Sequence, residues 1–327
     1  MPLTTDQKML TLSRNIIEAF DKAARGPHPG FRPEHAKGIL LTGEFKPSPE
    51  AVGLTRAPHV QRVSVPVTVR FSDFGGVPTV ADNLQDAGPR GFALRFHLAE
   101  HVHTDIVAHS VDSFPTRTAD EFLEFINALV ATDPAGPHPN AIEQFLGKHP
   151  AALAFVQTPK PIPTSFARES YYAISAFRFT NAGGASRYGR YRVVPVAGNE
   201  YLDDAGAAAQ TPNFLLDEIA ARVTREPVRF RVLVQLAQKG DVTDDSTVRW
   251  PESRQLITFG EIVLTAVASN NADEQQKIIF DPIPRVEGIE ASADPLFEPR
   301  ANIYLMSGRR RREAGKRPPG GLDVRRC

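Results

Sequence analysis

The chain has 327 residues, 41% of them hydrophobic, enough for one large domain or two ordinary ones with a sizeable core. Lysine plus arginine and aspartate plus glutamate both total 38, so the formal net charge is zero and nothing global draws the chain to nucleic acid or an acidic membrane. The single cysteine, Cys327, excludes an intrachain disulfide, a cysteine zinc site and a cysteine-held iron–sulfur cluster. A reducing compartment follows as the simplest expectation. The N-terminal stretch carries polar residues where a signal peptide needs its apolar run, and no apolar run reaches membrane-spanning length, so a cytoplasmic location is expected.

From the N-terminus, residues 5–25 set Met9, Leu10, Leu12, Ile16, Ile17 and Phe20 at helical spacing, which predicts an amphipathic helix. Thr5 is its candidate cap, and Gly26 and Pro27 stop it. Eight alternating or β-branched stretches read as strands: 38–45, 63–72, 91–98, 104–110, 171–180, 189–196, 228–237 and 255–267. Helical periodicity falls between them at 118–131, 139–157 and 211–225. Strands and helices come in runs rather than in strict alternation, which points to an α+β fold with an antiparallel sheet, and eight strands suggest a β-barrel with surrounding helices. No Gly/Ser linker divides the chain. Residues 1–312 are read as one domain, and residues 313–327, charged and rich in Pro and Gly, as a disordered basic tail.

Three stretches could carry chemistry. In DPLFEPRANIYLMSGRRRR (294–312), Arg300 and Tyr304 are four apart, which on a helix puts them on one face with the guanidinium in reach of the phenol oxygen. Asp294 capping Pro295, or Pro299 as first residue, would start that helix. A neighbouring cation favours an ionised phenol, and tyrosinate is an axial ligand for haem iron; by spacing alone, an ordinary surface pair is the commoner reading. In FRPEHAKGILLTGEF (31–45), His35 precedes a flexible stretch and a strand. A histidine can move a proton between two peroxide oxygens, and a loop histidine of no consequence is the alternative. In VTVRFSDFGG (67–76), Arg70 and Ser72 share a strand face, where an arginine suits a haem propionate or a structural aspartate. His101 and His103 have the alternate spacing of a metal pair but no third ligand, so a solvated hairpin turn is expected. Tyr171, Tyr172, Phe177 and Phe179 have strand periodicity and read as barrel core or as packing distant from a haem.

With these stretches in order, the sequence resembles the haem catalase family, and within it the short catalase-related peroxidases, over roughly residues 28–312. RPEHAKG is similar to the family's distal-histidine motif, and VTVRFS with DAGPRGFALRF to the next two signatures. TDIVAHSVDSFPTRTADEFLEF resembles the segment that closes the distal pocket and lays a phenylalanine on the haem. VRWPESRQLITFGEIVL resembles a late barrel strand, and FDPIPRVEGIEASADPLFEPRANIYLMSGRRR the proximal-ligand region.

The resemblance implies a catalase-like haem fold, haem b with ferric iron, Tyr304 as tyrosinate axial ligand and Arg300 holding it ionised. It implies His35 as distal acid/base with Ser72 bonded to its ring, Arg32, Arg70 and Arg311 on the haem propionates, and Phe122 stacked near the haem on the distal side. The implied function is reduction of hydrogen peroxide or organic hydroperoxides by small organic donors, with weak catalase activity and no nucleic-acid or membrane partner. Haem-dependent rearrangement of fatty-acid hydroperoxides and a non-enzymatic haem carrier or sensor are the alternatives. Two departures stand out. The family's distal asparagine falls on His109, whose imidazole can also donate. The sequence stops soon after Tyr304 and lacks a long N-terminal arm, which implies a looser homo-oligomer, a dimer rather than an interlocked tetramer, a more open haem channel and no nicotinamide site.

Overall fold

The computed structural model describes residues 3–315. Helix α1 (Gln7–Ala23) buries Ile16, Ile17 and Phe20, as its periodicity predicts. Asp6 rather than Thr5 caps it, the carboxylate accepting from the backbone N–H groups of Lys8 and Met9. Strand β1 (Gly38–Pro47) is followed by the short helix α2 (Pro49–Leu54), then β2 (Val65–Ser72), β3 (Gly91–Ala99) and β4 (Val102–His109). Helices α3 (Ala119–Ala131), α4 (Ala141–Leu146) and α5 (Pro150–Gln157) lead to β5 (Tyr171–Tyr172), β6 (Phe177–Thr180) and β7 (Ser186–Pro195). Helices α6 (Asp204–Ala208) and α7 (Phe214–Arg225) precede β8 (Val228–Leu236) and β9 (Leu256–Val267). The described chain ends with α8 (Asn271–Lys277), β10 (Ile289–Ala291) and α9 (Phe297–Ala314).

Successive pairing of β1 to β4 continues through β5 to β7, while β9 returns to β1 and β8 joins β7. The eight strands β1, β2, β3, β4, β5, β7, β8 and β9 therefore close an antiparallel barrel, as expected, and β6 with β10 extends from the free part of β7. Closure removes the edges an open sheet would expose. Strand alternation sorts the faces: Val65, Val67, Val69 and Phe71 of β2 enter the core, while Arg70 and Ser72 line a cavity on the other side. Phe45, Phe92, Phe96, Phe230 and Phe259 join Phe71 in the interior. Tyr171, Phe177 and Phe179 are core as expected, whereas Tyr172 is half-buried under Arg192, 5.0 Å from its ring centroid.

The structure differs from the sequence reading where a local break is invisible to periodicity. Stretch 171–180 is two strands, because Ala173–Ala176 leaves the ladder and brings Ile174 to the cavity and Ser175 beside Arg300. Stretch 139–157 is two helices: Gly147 ends α4 and Pro150 starts α5. Helix α9 starts at Phe297, with Asp294 accepting the Leu296 N–H at 2.9 Å instead of capping Pro295. Pro299 lies within the first turn, where its missing N–H breaks no helical bond. Helix α9 also runs past the boundary drawn at 312, to Ala314; residues 316–327 of the expected tail lie outside the described residues. His101 sits 93% exposed at the β3–β4 turn. Among the described residues no helix is long and apolar enough to cross a membrane.

Candidate active site

Between the outer face of β2, β3 and β4 and the helices α1, α3 and α9 lies a cavity of about 230 Å³. Its lining brings together every site residue singled out from the sequence: His35, Ser72, His109, Arg32, Arg70, Phe122, Arg300, Tyr304 and Arg311. Helix α9 forms one wall. Arg300, Tyr304, Ser307 and Arg311 recur at four, three and four residues and share its cavity face. Arg300 Nε donates to the Tyr304 phenol oxygen at 3.4 Å, and Arg311 Nη1 donates to Ser307 Oγ at 2.8 Å. The helix is tied to α1 by Arg310, which donates to both carboxylate oxygens of Asp21.

At the far end of that face, Arg32, Arg70 and Arg311 converge. Arg32 donates to the carbonyls of Gln275 and Ile278, both at 3.2 Å; Arg70 to Gln275 Oε1 at 2.9 Å; and Arg311 to the Ile278 carbonyl at 2.8 Å. Among the described residues none of the three has a carboxylate within 4.0 Å, and Arg311 Nε is buried without a partner. Burial, then the charges of Arg70 and Arg311, lowers the Arg32 pKa; burial and Arg311 lower Arg70 to about 9; burial with Arg312 and Arg310 lowers Arg311 to about 10. Guanidinium holds its proton in proteins, so these shifts measure an uncompensated positive cluster rather than neutral arginines. A buried charge partnered only by neutral oxygens is costly, and forked donors match carboxylates.

The opposite wall comes from the sheet. His35 sits at φ 56°, a left-handed conformation that costs a non-glycine residue about 1–2 kcal/mol. Its ring packs edge-on against Phe74, with centroids 5.7 Å apart, and its Nδ1 lies 2.9 Å from the Asp73 carbonyl and 3.2 Å from Ser72 Oγ. A carbonyl only accepts, so Nδ1 carries the proton and Nε2 keeps its lone pair. His109, at the end of β4, has the reverse arrangement: Val111 N–H donates to its Nδ1 at 3.2 Å, which leaves the neutral ring's proton on Nε2. Burial, Arg70 and Arg32 lower His35 to about 4 against the Asp73 bond, and burial with His35, Arg300 and Lys160 lowers His109 to about 3. Both rings are thus neutral near pH 7, one presenting an acceptor and the other a donor.

Several residues that shape this wall escaped the sequence reading. Gly91 pairs with His109 in the β3–β4 ladder, and a Cβ there would lie within 2.8 Å of His35 Nδ1 and closer still to Ser72 Oγ. Only glycine leaves room for the ring. The Asp73 carbonyl is a backbone group with no side-chain signature, although the Asp73 carboxylate also pairs with buried Arg90 and so fixes that turn. Ser307 was legible in principle, three residues after Tyr304 and four before Arg311. Phe122 packs 4.8 Å from Phe114 and 5.9 Å from Phe20 on the α1–α3 side of the cavity.

The barrel with helices around it thus carries a large cavity of this donor set on its outer face, and comparison with known proteins shows the class of protein to which it belongs. The catalase family model matches residues 10–316, and the chain belongs to the catalase family. It is 35% identical over 285 residues to the catalase-related peroxidase of Mycolicibacterium paratuberculosis, covering 86% of this chain and 89% of the relative. A catalase-related peroxidase of Synechococcus elongatus is 32% identical over 286 residues, covering 86% and 84%. Among solved structures, a bacterial catalase superposes with a TM-score of 0.76 at 23% identity over 98% of this chain, and catalase A from Saccharomyces cerevisiae with 0.75 at 22% over 95%. The chain spans 65% of each of those two solved chains, just under two thirds.

Proposed function

We propose that this chain is a haem-dependent peroxidase that reduces hydrogen peroxide or organic hydroperoxides with small organic donors and has weak oxygen-releasing activity. The observation that carries the reading is the buried cluster of Arg32, Arg70 and Arg311, without a carboxylate partner among the described residues, in one cavity with the Arg300–Tyr304 pair and two neutral histidines. A haem b fits that donor set: its propionates would meet the arginines, and its ferric iron the Tyr304 oxygen as tyrosinate. When bound, the haem supplies a redox centre that takes two oxidising equivalents from peroxide and passes them to a donor.

The chain's own residues handle the protons. His35 Nε2 accepts the proton of one peroxide oxygen and returns it to the other, which readies that oxygen to leave as water or an alcohol; the oxygen left behind would be taken up by a bound haem together with its two oxidising equivalents. The Asp73 carbonyl keeps the lone pair on Nε2 by holding the ring proton on Nδ1. His109 Nε2–H fixes the peroxide with one hydrogen bond and, as a donor, does not compete for its proton. Arg300 donates to the phenol oxygen, the interaction that suits an anionic ligand. Apolar lining from Phe20, Phe122, Phe125 and Phe155 supports an organic donor or hydroperoxide. The named activities of the relatives favour this chemistry over hydroperoxide rearrangement or passive haem carriage. A cytoplasmic location belongs to the same proposal, on the lone cysteine.

The test is the absorption spectrum of the haem-loaded protein with paired assays at matched peroxide. A high-spin ferric spectrum is expected in the wild type, and Tyr304→Phe should lose it together with the haem. Dye oxidation should exceed oxygen release, and His109→Asn, which restores a second N–H donor, should raise oxygen release. Full haem retention in Tyr304→Phe would remove the ligand assignment. Oxygen release with negligible dye oxidation would make the protein a true catalase.

A further inference from the structure

We propose that Glu34 is the positioning residue for His35: its carboxylate bridges two backbone N–H groups and so holds the left-handed turn from which the imidazole reaches the cavity. The inference rests on His35 as the acid/base of the reading above. Glu34 Oε1 accepts the N–H of His35 at 3.3 Å and that of Gly75. Gly75 in turn, itself at φ 91°, accepts the Ala36 N–H through its carbonyl at 3.0 Å. The turn 34–36 and the loop 73–76 are thereby laced together, two of the three bonds meeting on one carboxylate oxygen. From the other side Arg70 Nη2 donates to the carbonyls of His35 and Ala36, at 3.0 and 3.2 Å. The His35 backbone is thus gripped at its N–H by a carboxyl oxygen and at its C=O by a guanidinium.

A strained conformation persists where its surroundings over-determine it. The ring bonds to Asp73 and Ser72 anchor Nδ1 alone and do not by themselves hold the His35 backbone against relaxation to an ordinary φ. The backbone grip is what prevents that relaxation. Glu34 lines the cavity, forms no salt bridge among the described residues and is pushed up to about 7 by burial, against its two backbone bonds. Placing a carboxylate there is costly, and the groups that offset the cost are backbone N–H groups of the turn and loop that carry and flank His35.

Hydrogen exchange at the His35 and Gly75 amides, in haem-free and haem-loaded protein, tests this alongside stopped-flow reaction with peroxide. Glu34→Gln keeps an acceptor oxygen and Glu34→Ala has none. Alanine should speed exchange at both amides about tenfold, the loss of one hydrogen bond each, and slow the peroxide reaction about tenfold to a hundredfold with haem content unchanged. Glutamine should restore most of both. Should the alanine variant not fold, Glu34→Asp, too short to span both N–H groups, takes its place with the same expectations. Unchanged exchange in the truncated variant, or glutamine as impaired as alanine, overturns the proposal. Exchange in the haem-free chain reads the grip directly, so failure to take up haem would sink the functional reading while leaving this test in force.

Discussion

Three histidines divide between the inside of the barrel and the cavity outside it, and loss of hydration shifts them alike: His59 to about 3, His35 to about 4, His109 to about 3. Inside, His59 stacks on Phe96 at 4.6 Å, with Phe259 at 5.6 Å and Phe45 at 6.4 Å, and neither ring nitrogen has a partner among the described residues. Outside, each histidine has Nδ1 pinned by a backbone group while its ring lines the cavity. A perturbed titration therefore marks burial in both regions and does not separate them. The asymmetric pinning does, because it dictates which nitrogen can meet a substrate and whether it gives or takes a proton.

If that distinction holds, substitutions outside should change reaction rates and substitutions inside should change stability alone. The largest effect belongs to His35→Ala, which removes the acceptor: the peroxide reaction should slow about a hundred- to ten-thousand-fold in stopped flow, with haem still bound. A wild-type rate would move the proton-transfer role to another group. Gly91→Ala comes next. Its Cβ must push aside His35 and Ser72, and a displacement of that kind should cost about ten- to a hundredfold in the same assay while leaving the residues of the α9 wall, and so haem content, untouched. His109→Leu deletes a single donor, so about a tenfold loss is expected, in line with one hydrogen bond. A larger loss than in His35→Ala would invert the assigned roles of acceptor and donor.

The two walls of the cavity differ in how much of them the sequence reveals. The α9 wall is one helix, so Arg300, Tyr304 and Arg311 are linked by register, and the spacing alone puts them on a common face. The sheet wall is assembled from separate segments whose order along the chain suggests His35, Ser72 and His109, but whose hydrogen-bond partners are carbonyls and N–H groups that no residue pattern displays. Gly91 shows the same limit: a glycine in a strand is visible, and the ring it makes room for is not. The barrel was legible because its strands stand out as short alternating or β-branched stretches. The break at Ala173–Ala176 was not, since its residues keep the apolar rhythm while the chain bends to deliver Ser175 to Arg300.

The smallest effect on reaction, and the sharpest test of the inside–outside contrast, comes from His59→Phe. With a folded pKa of about 3 against about 6.5 unfolded, the unfolded chain binds a proton between those values that the folded chain refuses. Stability from this site is therefore fully present above pH 6.5 and is lost as pH falls toward 3. Phenylalanine cannot take up that proton and would join the rings of Phe45, Phe96 and Phe259, a swap of similar shape that should cost under about 1.5 kcal/mol at neutral pH. Between pH 6.5 and pH 4 the variant should lose about 3 kcal/mol less stability than the wild type in denaturant titrations, with its peroxide reaction unchanged. Equal acid sensitivity in the two proteins would show that His59 finds a proton partner inside the barrel after all, and a slowed peroxide reaction would show that the inner and outer faces of the sheet are coupled.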